Sequence, residues 1–189
     1  MSNKKLSMMI NVEQQKIKPS IEDVAPELLD GENLQIVLDF SNYMRQNKNS
    51  LRWGGIVNTW KSMYKGKPLC YLRLAQPQYA HMRDLGDVEL DRWVLTLYLN
   101  NMETYKDLIF KESWEELIWN GFNKCRQCDI TKECCNAQNK IILGKELKGI
   151  CVSFFSGRIP VDFVNPDRNK IEILKKIMTF EKNARKELK

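Results

Sequence analysis

Five of the chain's six cysteines fall within "KCRQCDITKECCNAQNKIILGKELKGIC", residues 124–151, and no other feature narrows the possible folds as far. Cys125 and Cys128 form a C-x-x-C, a spacing at which two thiolates converge on one tetrahedral ion. Cys134 and Cys135 follow on a polar stretch, and Cys151 stands at the head of an apolar run. In a reducing compartment such clusters bind metal or do chemistry more often than they form disulfides. The expectation is a closed set of Cys125, Cys128, Cys134 and Cys151 holding a structural zinc ion, because four thiolates leave no open position. Neighbouring Cys134 and Cys135 cannot both easily reach one ion, and Cys135 is nearly as good a third ligand as Cys134. An iron–sulfur cluster takes the same ligands. A redox pair of Cys125 and Cys128 is a further alternative, although such pairs open a helix after a strand, whereas this one follows a helical pattern. Cys70 reads as a core residue and the lone His81 as a surface loop residue.

The 189 residues, 43% hydrophobic with five Trp, seven Phe and six Tyr, suffice for a buried core. The first twenty residues are polar and basic, with Leu6, Met8, Met9 and Ile10 as their apolar patch. That patch is too short for a signal peptide, and no run reaches the ~18 apolar residues of a membrane span. The expectation is a soluble cytoplasmic protein without membrane contact. The net charge of +6 is spread along the chain, as on a solvated surface rather than a nucleic-acid stripe.

Hydrophobic periodicity divides the rest. "SIEDVAPELLDG" (20–31) suggests a short helix interrupted by Pro26 and closed by Gly31. Ile36, Val37, Phe40, Tyr43 and Met44 share a side of an amphipathic helix over 32–48. Period two then takes over: "GIVNTWKSMY" and "PLCYLRLA" flank the turn "KGK" (65–67). Trp60, Ser62 and Tyr64 share one face; Cys70, Leu72 and Leu74 share another, with Tyr71 and Arg73 on the reverse. "RWVLTLYLN" (92–100) is apolar on both faces, as in a central strand. A short helix over 101–110 precedes "SWEELIWNGF", where Ser113 and Glu116 suggest a capping box. Trp114, Leu117, Ile118, Gly121 and Phe122 follow a helical series that leads into Cys125. "KIILG", a turn at "KELKG" and "ICVSFF" suggest another hairpin. Asn165 as N-cap and Pro166 as first residue open a long final helix lined by Ile171, Leu174, Ile177, Met178 and Leu188. This order indicates an α+β fold, an antiparallel sheet packed by helices with a Cys-rich metal-binding loop inserted. The organisation is a flexible segment, 1–20, then one domain, 21–189, that includes the cysteine loop 123–151.

Signature motifs of metalloproteases, nucleophile elbows and phosphate loops are absent from the sequence, and Glu115 and Glu116 read as the polar side and cap of their helix. Aromatic density is the stronger signal. Trp53, Trp60, Tyr71 and Trp93, with Arg73 supplying a charge, are candidates for a pocket taking an apolar or cationic small molecule. The competing reading is a bulky core. Gly54 and Gly55 beside Trp53 would let a chain or ligand approach closely.

The stretch "SLRWGGIVNTWKSMYKGKPLCYLRL" (50–74) resembles the hairpin region of the YdhG-like group of small bacterial α+β proteins. The cysteine loop with "ILGKE" and "NPD" is similar to a set of uncharacterised bacterial proteins. The resemblance implies an antiparallel sheet packed by helices, with a ligand cleft. Some YdhG-like proteins are described as iron-handling chaperones; this positively charged chain has no acidic ridge to collect iron. The expected function is a non-enzymatic small-molecule or partner-binding domain with a structural zinc. The alternatives are nucleic-acid binding through the loop lysines, and thiol redox chemistry.

Overall fold

A computed structural model describes residues 5–74, 93–122, 137–151 and 160–187. It is an α+β protein: among the described residues there are six α-helices, a five-stranded antiparallel sheet in the order β1-β2-β3-β4-β7, and a separate hairpin of β5 and β6. The helices are α1 (Asn11–Ile17), α2 (Ile21–Leu28), α3 (Gly31–Gln46), α4 (Lys106–Lys111), α5 (Glu115–Asn120) and α6 (Arg168–Glu187). The strands are β1 (Arg52–Trp53), β2 (Thr59–Tyr64), β3 (Lys67–Leu74), β4 (Trp93–Tyr98), β5 (Ala137–Ile142), β6 (Lys145–Cys151) and β7 (Pro160–Val164). Two compact units emerge, Met1–Leu95 with Val164–Glu172 and Thr96–Phe163 with Ile173–Lys189.

In the first unit, α3 buries Ile36, Val37, Phe40 and Met44 as its periodicity predicts, and packs on α2, which buries Ile21, Val24 and Ala25. Pro26 sits inside α2 rather than interrupting it, at the loss of the bond that its own N–H would make. Gly31 begins α3, at φ +48°, instead of closing α2. Lys65 and Gly66 turn β2 into β3 with φ values of 49° and 72°, the paired positive values of the hairpin turn that matches strand twist. The register sets Trp60 opposite Leu72 and Ser62 opposite Cys70, then shifts at Met63, which faces Pro68. Leu69 is the extra residue of this bulge, so Leu69 and Cys70 are both buried. The segment read as flexible carries a 3-10 turn, Leu6–Met8, and α1, both within the described residues.

In the second unit, Ser113 does not cap α5. It holds φ 56° and donates its N–H to Phe110, while Trp114 donates to Ile109. These are the two bonds of a Schellman motif, so Ser113 ends α4 and the capping box does not form. α5 ends at Gly121, where an added Cβ would lie 2.5 Å from Val161 Cγ1. That close approach lets Asp162 N–H donate to the Gly121 carbonyl at 2.7 Å. "KELKG" belongs to β6, and the hairpin turns at Leu143 and Gly144 (φ 51° and 75°). The Trp119 indole donates to the Ile142 carbonyl at 2.9 Å, and Lys145 Nζ sits 4.6 Å above its ring. Back in the first unit, helix α6 starts at Arg168, later than expected. Asp167 accepts the Lys170 N–H at 2.8 Å, which holds its carboxyl below the usual range. Asn165, of the same unit, is drawn off to Trp93, accepting its N–H through Oδ1 and donating its own N–H to the Trp93 carbonyl. Leu188 lies outside the described residues.

The second unit also buries a charge. Glu181 accepts from Tyr105 Oη at 2.9 Å, Asn101 N–H at 3.1 Å, Asn101 Nδ2 at 2.8 Å and Arg185 Nε at 2.8 Å. Arg185 also donates to the Tyr98 carbonyl at 2.8 Å. Burial, then the Glu181 charge, pushes the Tyr105 phenol well up, so it stays a donor. Replacing Glu181 with Ala strands a buried guanidinium. The expected cost is about 3–5 kcal/mol, read as a lower urea midpoint; a loss under ~1 kcal/mol would contradict the assigned role.

Candidate functional site

The three tryptophans proposed from sequence occupy β1, β2 and β4, and each spends its indole N–H on the helical segments before the sheet. Trp60 Nε1 donates to the Pro19 carbonyl at 2.9 Å, Trp93 Nε1 to Asn33 Oδ1 at 3.1 Å, and Trp53 Nε1 to Gln14 Oε1 at 3.3 Å. Trp60 and Trp93 are fully buried and Trp53 half-buried. The paired glycines next to Trp53 admit the chain itself: Gly54 N–H donates to the Thr59 carbonyl at 2.7 Å, and an added Cβ on Gly54 would lie 3.0 Å from that oxygen.

Strand register separates the candidates. Trp53 faces Trp60, which faces Leu72, so these share one side of β1, β2 and β3. Arg52 faces Lys61, and Lys61 faces Tyr71. With side chains alternating, Arg52, Lys61, Tyr71 and Arg73 lie on the other side. Arg52 is exposed and the other three are half-buried. The five sequence candidates therefore divide into a tryptophan set turned inward and Tyr71 with Arg73 on the outward face. Arg52 and Lys61 join the latter.

Like charges directly across an antiparallel pair destabilise it, at Cβ separations of about 5 Å. Neither Arg52 nor Lys61 forms an ion pair among the described residues. Two cations side by side, an aromatic hydroxyl on the next strand and a further guanidinium two residues along make a face suited to an anion.

Comparison of the chain with protein families, curated proteins and solved structures returns no match.

Cys125, Cys128, Cys134 and Cys135 lie outside the described residues, as does His81. The backbone of Cys151 closes β6 opposite Ala137. No group of three or more potential metal ligands occurs among the described residues.

Sequence reasoning missed Gln14 and Asn58. Gln14 is fully buried; its Nε2 donates to Asn58 Oδ1 at 2.6 Å and the Leu6 carbonyl at 2.9 Å, while Oε1 accepts the Asn58 N–H at 2.9 Å. Asn58, at φ 49°, donates Nδ2 to the Ser7 carbonyl at 3.1 Å. Glu27 accepts the N–H groups of Leu6 and Ser7 at 3.1 and 2.8 Å. Burial opposes its ionisation, but bonds from Ser7 and Leu6 and the charge of Lys5 hold its carboxyl below the usual range. One polar residue among several in a polar, basic stretch gave no local signal of this role.

Cys70 is a core residue, and burial pushes its thiol up to about 12. The fold favours the neutral thiol. Its contribution to stability is whole below the unfolded pKa near 9 and is lost as pH rises toward about 12. In Cys70→Ala the stability deficit should narrow between about pH 9 and pH 12, read by urea unfolding at each pH. A deficit that stays constant would show that Cys70 ionises alike in both states.

Proposed function

We propose that the chain is a non-enzymatic binding protein that takes a small molecule bearing phosphate or carboxylate groups on the exposed face of β1, β2 and β3. The observation that supports this reading is the direct opposition of Arg52 and Lys61, two cations whose mutual repulsion an anion would relieve. Arg52 offers a planar fork matched to paired oxygens, and Lys61 a point charge. Tyr71 and Arg73 flank them on the same face. An apolar or cationic ligand, the class favoured by aromatic density, is less well served, since Trp60 and Trp93 are enclosed and the accessible side is basic.

In this reading the cysteine cluster is structural: Cys125, Cys128, Cys134 and Cys151 hold one zinc ion, with Cys135 the alternative third ligand. The register of the hairpin supports it. Cys151 faces Ala137, and Cys135 precedes Ala137 by two residues, within about 7 Å of extended chain. Trp119 fixes the same hairpin to α5, and Cys125 follows the end of that helix by five residues in the sequence.

Titration with pyrophosphate and with citrate, followed by calorimetry, tests the binding face. Lys61→Ala and Arg52→Ala should each weaken binding about tenfold, with a ligand-free melting temperature that holds or rises as the repulsion is removed. Equal affinity in wild type and both variants would sink the assignment. For the metal, elemental analysis of purified protein should find one zinc per chain, with the cluster thiols resisting alkylation until a chelator is added. Folded protein free of zinc and iron would end that part of the reading.

A further inference from the structure

The N-terminal segment is turned inside out. In α1 the buried residue is the polar Gln14, whereas Val12 and Ile17 are 58% and 51% exposed. Ahead of it, Ser7 is buried while Met8 and Ile10 are 64% and 56% exposed. Ile56, 61% exposed, belongs to the turn that ends at Asn58, the residue bonded to both Gln14 and Ser7. Half of the large hydrophobic side chains exposed among the described residues therefore belong to one small construction.

The charges beside them have one dominant sign. At 100° per residue, Val12 and Lys16 share a side of α1 that points away from Gln14. Lys5 and Lys18 are exposed at the two ends of the segment. The acidic residue of the helix, Glu13, is engaged by the Ile10 N–H at 2.9 Å. Exposed apolar side chains rimmed by lysines match the boundary of an anionic bilayer, where aliphatic groups enter the acyl region and ammonium groups meet phosphates. The polar clamp of Gln14, Asn58, Ser7 and Glu27 holds the segment in this orientation before any partner arrives.

We propose that this segment docks the protein on the surface of an anionic lipid membrane through Met8, Ile10 and Val12, with Lys5, Lys16 and Lys18 at its edge. No helix among the described residues is long and apolar enough to cross a membrane, and peripheral contact requires none. The site is separate from the anion face of β1 to β3 and does not depend on it.

Co-sedimentation of the full chain with phosphatidylcholine vesicles, with and without phosphatidylglycerol, tests the proposal. Binding is expected with the anionic vesicles alone and should weaken as salt rises. Lys16→Glu with Lys18→Glu should reduce it at least about 25-fold, from roughly fivefold for each positive charge lost. Ile10→Ser with Val12→Ser should reduce it by a further large factor, about tenfold per apolar side chain, at unchanged melting temperature because both positions are exposed. Lys61→Ala, on the other face, should leave vesicle binding intact. Failure to sediment with anionic vesicles at low salt would overturn the proposal, as would binding indifferent to the Ile10 and Val12 changes. Lipid-free self-association abolished by those same changes, without vesicle binding, would assign the face to a second copy of the chain and overturn it equally.

Discussion

An indole buried without a partner for its N–H loses a hydrogen bond to water and gains nothing in return. The first unit answers that constraint three times, each time with an acceptor from the residues before the sheet: Pro19, Asn33 and Gln14. The large aromatic side chains of β1, β2 and β4 are thereby bound to α1, to α3 and to the link before α2. Much else in this unit follows from those attachments. Trp53 needs Gln14 Oε1, Gln14 needs Asn58, and Asn58 holds Ser7, so one indole ends a chain of buried amides that fixes the opening segment in place.

The second unit meets the same difficulty with charge. Glu181 is sealed from water but receives four hydrogen bonds, and its partner Arg185 finds a further carbonyl. Such knots add less net stability than they cost when broken, because removing a member leaves the others desolvated and alone. They also fix geometry: Asn101, Tyr105 and the last turns of α6 can meet in one arrangement.

Local patterns told much of the fold. The apolar side of α3, the Lys65–Gly66 turn and the two-sided burial of β4 are legible because each depends on neighbours within a few residues. The failures share one cause, competition from residues far along the chain or from an adjoining element. Asn165 has the composition of a cap, but its amide serves Trp93, 72 residues away, and Asp167 takes over. Ser113 has capping-box spacing, yet α4 claims it for its own ending. "KELKG" looks like a turn by composition, but the neighbouring Leu143–Gly144 pair takes the positive φ values and releases it to β6. The candidate site followed the same rule. Tyr71 and Arg73 were visible on one strand; Arg52 and Lys61 needed the register of three.

Neither compact unit is a continuous stretch of polypeptide. The first consists of Met1–Leu95 and the short return Val164–Glu172. During synthesis residues 1–95 must therefore wait for Val164–Glu172 before this unit is complete. Domains ordinarily fold as they emerge; here one unit is finished only after most of the other has been made. A fragment cut anywhere before residue 164 would lack the Asn165 amide that closes the Trp93 backbone, and a protease nick in the middle of the chain would divide both units at once.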